Sequence, residues 1–342
     1  MKYRIGALLI CGILLAGLLP GCTSGQSEPV FRTKTDVFGT VIQITLHAYE
    51  AEDVLDAVFE RMDKLHALLT VNAVDSDVGR INQNPGRWTE VDPVTVSLVE
   101  TALRYARLSD GAFDCTIAPV TTLWGFPSGM PSLPEPAAIR EALAQVDYTR
   151  LETRDRAVRT ASPGMAIDLG GIAKGYACDE AAALLRQQGV TSAILDFGGN
   201  VYALGNKPDG SLWKVGLQTP VAGAGGIIGH ITCADKAIVT SGGYERWFEE
   251  NGVTYHHILD PATGYPADSG LLSATIVTDS ATNADALSTA CFVLGVEEGL
   301  ALIAGLDGVE AIFVTTAREV IVTDGLQTAF TLTDETFTRG KP

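Results

Sequence analysis

Asp285 and Thr289 stand four residues apart in "NADALSTA" (283–290), so a helix there sets both on one face. A carboxylate beside a hydroxyl is a hard-oxygen pair of the kind Mg²⁺ takes, although the same spacing also suits a polar stripe on a helix end. Two of the chain's five histidines, His256 and His257, adjoin in "YHHILDPATGYP" (255–266). In a strand they point to opposite faces, so only one can serve a given site, and a histidine is the usual general base near neutrality. The "DPATG" that follows is a turn signal. "AIDLGGIAKGYACDE" (166–180) packs three glycines and Lys174 behind Asp168. Its spacing fits neither a Walker loop, because Lys174 precedes the last glycine, nor a Rossmann loop. It still allows close approach of the backbone to an anion, with Lys174 as a point charge, or simply a strand-to-helix turn with a surface lysine. "GAFDCTIAPVTTLWGF" (111–126) and "DFGGN" (196–200) are two more glycine-bearing connections; each alone reads first as a structural turn.

The elements that must position these residues follow from periodicity. Residues 30–48 alternate apolar and polar with a break at Gly39, which predicts a strand pair. Helical spacing predicts helices over 51–69, over 94–108 after Pro93, within 132–146, and over 179–189. Residues 192–205, 213–220, 226–233 and 237–243 read as strands, and 311–325 as a hairpin. A last helix is expected over 283–294 with Asn283 as its N-cap. Helices gather early and strands late, which predicts an α+β fold: helices packed on a mixed or antiparallel sheet.

Of 342 residues 46% are hydrophobic, enough for a sizeable core, and the formal net charge of −17, without Lys/Arg clusters, argues against a nucleic-acid binder. Lys2 and Arg4 precede a short apolar run and then "LPGC". That pattern is similar to a bacterial lipoprotein signal, with residues 1–21 removed, Cys22 lipidated, residues 22–29 a tether and the body lipid-anchored outside the cytoplasmic membrane. Cys115, Cys178, Cys233 and Cys291 have no zinc spacing and sit among apolar or small residues, so buried free thiols are expected.

In order, "FGT", "SDVGRIN", "GAFDCT", "IDLGGIAKGYACD", "DFGGNVYALG", "TSGGYERWF", "HHILDPATGYP" and "ADALSTA" resemble the ApbE family of flavin transferases, over nearly all of residues 30–342. The resemblance implies a T-fold-like α+β module. It also implies Mg²⁺-dependent transfer of FMN from FAD to a Ser or Thr hydroxyl of a target protein, with release of AMP. Targets in the family include subunits of Rnf- and Nqr-type redox complexes. By the same resemblance Phe38, Asn72, Ala112, Phe113, Asp114, Asp168, Lys174 and Ile258 would contact FAD. The Gly171 carbonyl, Asp285 and Thr289 would hold Mg²⁺, and His257 would be the base.

Two positions depart from the family pattern: Phe38 stands where methionine is common, and Asn72 near a stacking aromatic. Loss of that stack is worth roughly 0.5–1.5 kcal/mol and admits water as acceptor, which would make the enzyme an FAD pyrophosphatase. A non-enzymatic flavin-binding lipoprotein is the third reading.

Overall fold

The computed structural model describes residues 29–48, 51–221 and 223–341; the expected leader, Cys22 and the tether as far as Glu28 lie outside the described residues. The chain opens with an antiparallel hairpin, β1 (Val30–Val37) and β2 (Thr40–Leu46), turning at Phe38 and Gly39, both of positive φ. Helix α1 (Ala51–Leu69) buries Leu55, Val58, Met62 and Leu65 at the predicted helical spacing.

A helical layer and a small three-stranded sheet follow. They are α2 (Asp77–Gln83), β3 (Thr89–Glu90), α3 (Pro93–Leu108), α4 (Ala118–Trp124), α5 (Pro136–Leu143), β4 (Leu151–Arg154) and β5 (Ala157–Thr160). Asp92 caps α3 through Val94 N–H, with Pro93 in the first turn.

Helix α6 (Gly170–Gln187) begins nine residues before the expected start at Asp179. The glycine stretch is therefore the first turns of a helix, not a loop ahead of one. Its low helix propensity is overridden by packing: a Cβ on Gly175 would lie 2.2 Å from the Ala281 carbonyl oxygen, so only glycine lets the two helices approach this closely.

Strands then dominate: β6 (Ala193–Phe197), β7 (Asn200–Leu204), β8 (Trp213–Gln218), β9 (Ile227–Cys233), β10 (Lys236–Gly242), β11 (Trp247–Glu250), β12 (Val253–His256) and β13 (Leu271–Thr278). Helix α7 (Ala281–Ala304) is capped by Ser280, whose hydroxyl accepts from Asn283 N–H. The expected cap, Asn283, is thus three residues inside, because the hydroxyl two residues after Thr278 reaches the free N–H groups first. The helix also runs ten residues past its expected end, bending at Gly295. The chain closes with β14 (Glu310–Thr315), β15 (Glu319–Val322), β16 (Phe330–Leu332) and β17 (Thr338–Arg339).

Nine strands form one sheet in the order β1-β2-β6-β7-β10-β13-β14-β15-β17, antiparallel throughout except for β15–β17. Helices α1, α6 and α7 cover one face; β8, β9 and β16 cover the other and close a second core around Ile231, Ile312 and Phe330. This is the expected α+β architecture. Helix α7 is long and apolar enough to cross a membrane, but half of it is buried against the protein and it carries the buried Asp285. All four remaining cysteines are buried free thiols, as expected.

Candidate active site

Helices α6 and α7 build the first half of the site. Asp179 on α6 accepts from Ser280 Oγ (2.8 Å), Ala281 N–H (2.7 Å), Thr282 N–H (2.9 Å) and Thr282 Oγ1 (2.6 Å), which locks the start of α7 onto α6. That fixes Asp285, 3% exposed, one turn further along. Its Oδ2 accepts from Gly175 N–H at 2.8 Å, and its Oδ1 lies 3.5 Å from Lys174 Nζ. In a regular helix the Gly175 N–H points at the Gly171 carbonyl. Donation to Asp285 leaves that carbonyl with lone-pair capacity.

Thr289 lies on the same face as Asp285, its hydroxyl donating back to the Asp285 carbonyl at 3.3 Å and lying 3.3 Å from Ser241 Oγ. A Cβ on Gly171 would come within 3.8 Å of Thr289 Oγ1 and 3.1 Å of the Phe113 ring. The expected metal-binding set of Gly171, Asp285 and Thr289 is therefore one neighbourhood, with Phe113 against it. Its donors are all hard oxygens, the chemistry that suits Mg²⁺. Lys174 projects from the same helix as the glycines.

The second half of the site comes from surface hairpins. His257 follows β12 directly. Its N–H donates to the Arg246 carbonyl at 3.0 Å, and its Nδ1 faces the same oxygen at 3.3 Å. A carbonyl only accepts, so Nδ1 carries the proton and Nε2 keeps its lone pair. Burial, reinforced by Arg246, His256 and Lys174, pushes the His257 pKa down to about 3, so the free ring is neutral. Phe126 packs edge-on against it at 6.3 Å. His256 turns the other way, its ring against Phe292 and its Nε2 3.1 Å from the Ala267 carbonyl. The two neighbouring rings face opposite ways, as strand alternation predicts. Arg246 also donates from its guanidinium to the Gly39 carbonyl at 2.9 Å, which brings the β1–β2 turn, and so Phe38, to this corner. Phe38 N–H donates to His66 Nδ1, and the two rings meet edge-on.

The other expected contacts are placed as follows. Asp168 is half-buried at the mouth of α6, where its Oδ1 accepts from Gly170 N–H. Burial raises its pKa, opposed by that bond, Thr121, Arg246 and Lys174. Asp114 is engaged within its own loop, accepting from Thr116 N–H, Thr116 Oγ1 and Tyr148 N–H. That shapes the 111–116 segment carrying Ala112 and Phe113, but leaves little of the carboxylate for a ligand. Ile258 is buried next to His257. Asn72 is exposed and donates from Nδ2 to the Pro127 carbonyl, beside Phe126.

Sequence reasoning gave no role to Glu245 and Arg246, though "TSGGYERWF" contained them. Glu245 is exposed, with its carboxylate near Gly199. Partial desolvation, with the nearby Asp285 and Asp196, raises its pKa above the usual carboxylate range, against the pull of Lys174 and Arg246. A carboxylate and a guanidinium in succession after a glycine pair was the available signal.

Comparison with known proteins bears on this geometry. Residues 38–313 match the ApbE family. The chain is 37% identical to the FAD:protein FMN transferase of Klebsiella pneumoniae (strain 342), over 89% of this chain and 95% of that one. It is 33% identical to the FAD:protein FMN transferase of Treponema pallidum (strain Nichols), over 95% and 94%. Its fold superposes on the crystal structure of the ApbE protein from Thermotoga maritima with a TM-score of 0.81 at 33% identity, covering 88% of this chain and 99% of that one. It also superposes on the Pseudomonas stutzeri flavinyl transferase ApbE in its apo form, with a TM-score of 0.78 at 29% identity, over 91% and 100%.

Proposed function

The chain belongs to the ApbE family, and on that premise we propose that it is an FAD:protein FMN transferase acting on a protein outside the cytoplasmic membrane. The acceptor's Ser or Thr oxygen attacks the FMN-side phosphorus of FAD. A new P–O ester forms, the bond bridging the two phosphates breaks, and AMP leaves. His257 takes the hydroxyl proton on Nε2. The observation that carries this reading is the Nδ1 contact with the Arg246 carbonyl, which aims a neutral imidazole, with Nε2 unprotonated, into a corner that also holds Lys174 and Arg246.

The low pKa of His257 belongs to the ligand-free site. A pyrophosphate dianion beside the ring favours the imidazolium and raises the base strength as FAD binds. Lys174 and Arg246 orient and neutralise the diphosphate, while half-buried Phe38 offers an apolar face for the ring system and buried Phe113 backs the Gly171 turn. The oxygens of Asp285, Thr289 and Gly171 would hold Mg²⁺, which when bound supplies charge neutralisation for the diphosphate. Positioning and charge stabilisation dominate such a transfer, and no nucleophile from the enzyme is needed. Asn72 keeps hydrolysis of FAD to FMN and AMP as the second reading, since its amide, bonded to Pro127, offers no ring to stack on the substrate.

Incubation with FAD, Mg²⁺ and an Rnf- or Nqr-type redox subunit should add the mass of FMN less one water to one Ser or Thr of that subunit, with one AMP released per flavin attached. AMP release without any attached flavin would sink the transferase reading in favour of hydrolysis. The "LPGC" leader adds an expectation of location: lipid on Cys22 holds the enzyme on the membrane. Cys22→Ser should move it from the membrane to the soluble fraction.

A further inference from the structure

We infer that the outer edge of β12 is the docking rail for the acceptor, on which an extended segment carrying the target Ser or Thr adds as a third strand. This rests on the transferase reading above, which requires a protein hydroxyl to reach His257.

Strands β11 and β12 form a sheet of only two strands, joined by the tight turn Asn251–Gly252, both of positive φ. The ladder continues past β12, because His257 N–H bonds to the Arg246 carbonyl. Bonded pairs alternate in an antiparallel ladder. Arg246 with His257, Phe248 with Tyr255 and Glu250 with Val253 therefore face inward. The main-chain groups of Thr254 and His256 face out, and no hydrogen bond to them is found among the described residues. β12 thus presents a row of unpaired donors and acceptors that ends at the base.

Position favours β12 over the other free edge. A strand added to β12 runs about 4.8 Å from the chain that carries His257, whereas one added to β11 runs about twice as far away. Chemistry favours it too. Exposed edges are normally protected by charge or proline. β11 carries Glu249 and Glu250, but β12 reads "VTYH", with neither. Val253 is 50% exposed, and Tyr265, which packs on the Trp124 ring shared with Tyr255, is 37% exposed. An added strand would run beside Val253. Tyr255 and His257 alternate onto one face, so every second residue of the guest strand faces the base. Main-chain pairing would give affinity with little demand on the acceptor's sequence, as strand addition does elsewhere.

The test uses the full-length enzyme, FAD, Mg²⁺ and an Rnf- or Nqr-type redox subunit as acceptor. Thr254→Pro removes one outward N–H that the hairpin does not use. It should raise the acceptor KM roughly tenfold, the order expected for one or two lost main-chain bonds, and leave the Kd for FAD unchanged. Thr254→Ala, which keeps the N–H, should transfer at the wild-type KM. Hydrogen exchange should show 253–256 protected on adding acceptor but not FAD, and that readout decides the matter should the proline variant misfold. A folded Thr254→Pro enzyme with wild-type KM, or acceptor-induced protection that bypasses 253–256, overturns the proposal while leaving transfer intact. Protection that rises with enzyme concentration alone means a second copy occupies the edge and also overturns it. Wild-type enzyme that flavinylates nothing defeats the transferase reading instead.

Discussion

The two halves of the site are built in opposite ways. The α6–α7 half is buried, packed backbone against backbone at Gly175 and Ala281, and locked by the four bonds to Asp179. The His257 half hangs on a two-stranded hairpin and two turns, tied together by both ends of Arg246. A charge-bearing phosphate site profits from rigidity, because preorganised dipoles and charges need no rearrangement during the reaction. A corner that must admit a second protein profits from surface elements. Binding of FAD and activation of the acceptor are thus assigned to different parts of the fold, and substitutions should separate them.

The largest effect should come from Gly175→Val. Overpacking costs about 1–3 kcal/mol even where neighbours can yield, and here the new side chain meets the Ala281 carbonyl itself. Thermal unfolding should drop by many degrees and FAD turnover should vanish; a variant as stable and active as the parent would end the claim of rigidity. Asp285→Asn comes next. It still accepts from Gly175 N–H but loses the charge, so turnover should fall about 10³-fold or more with the melting temperature nearly unchanged. Asp285→Ala strands that N–H and adds about 1–3 kcal/mol of instability. His257→Ala should lower transfer by about 10²–10⁴-fold and leave FAD affinity within a factor of a few, as titration by flavin fluorescence would show. Equal losses in both would merge the two halves into one. Lys174→Ala should weaken FAD binding about tenfold while sparing divalent metal, since the lysine stands 3.5 Å from Asp285 and opposes a cation there.

The smallest effect is one of pH. Glu245, its pKa raised above the usual carboxylate range, gains charge as pH rises and then repels the diphosphate. In metal-free binding assays FAD affinity should decline as pH rises toward neutrality in the parent and stay flat in Glu245→Gln. His257 bears on stability instead. Its folded pKa of about 3 lies below the unfolded value of about 6.5, so the unfolded chain binds the extra proton in that window and stability falls as pH drops through it. His257→Gln should flatten that slope in denaturant titrations.

Much of this was legible in the chain. Helix α1 matched its periodicity residue for residue, because a single apolar stripe with no competing contact sets it. The pairing of Asp285 with Thr289 on one face followed from spacing alone. The start of α6 was not legible: three glycines read as a loop, and the close approach that requires one of them, Gly175 against the carbonyl of Ala281, comes from over a hundred residues away. The cap of α7 was missed by three residues because Ser280 answers to Asp179 as well as to Asn283. Nothing local to "YERW" announces that Arg246 holds both a histidine and the first hairpin. Long-range partners decided each of these, and such partners leave no period behind.

Arg246 and Gly39 are separated by 207 positions, and β2 pairs with β6 rather than with a sequence neighbour. Closing loops of that length is slow and comes late in folding. The contacts that orient His257 close only eleven residues, whereas the one that brings Phe38 to its side needs the first hairpin to meet the final third of the chain. The proton-accepting ring and the apolar cover beside it are thus joined by chain segments of very different reach, and the cover is the later of the two to arrive.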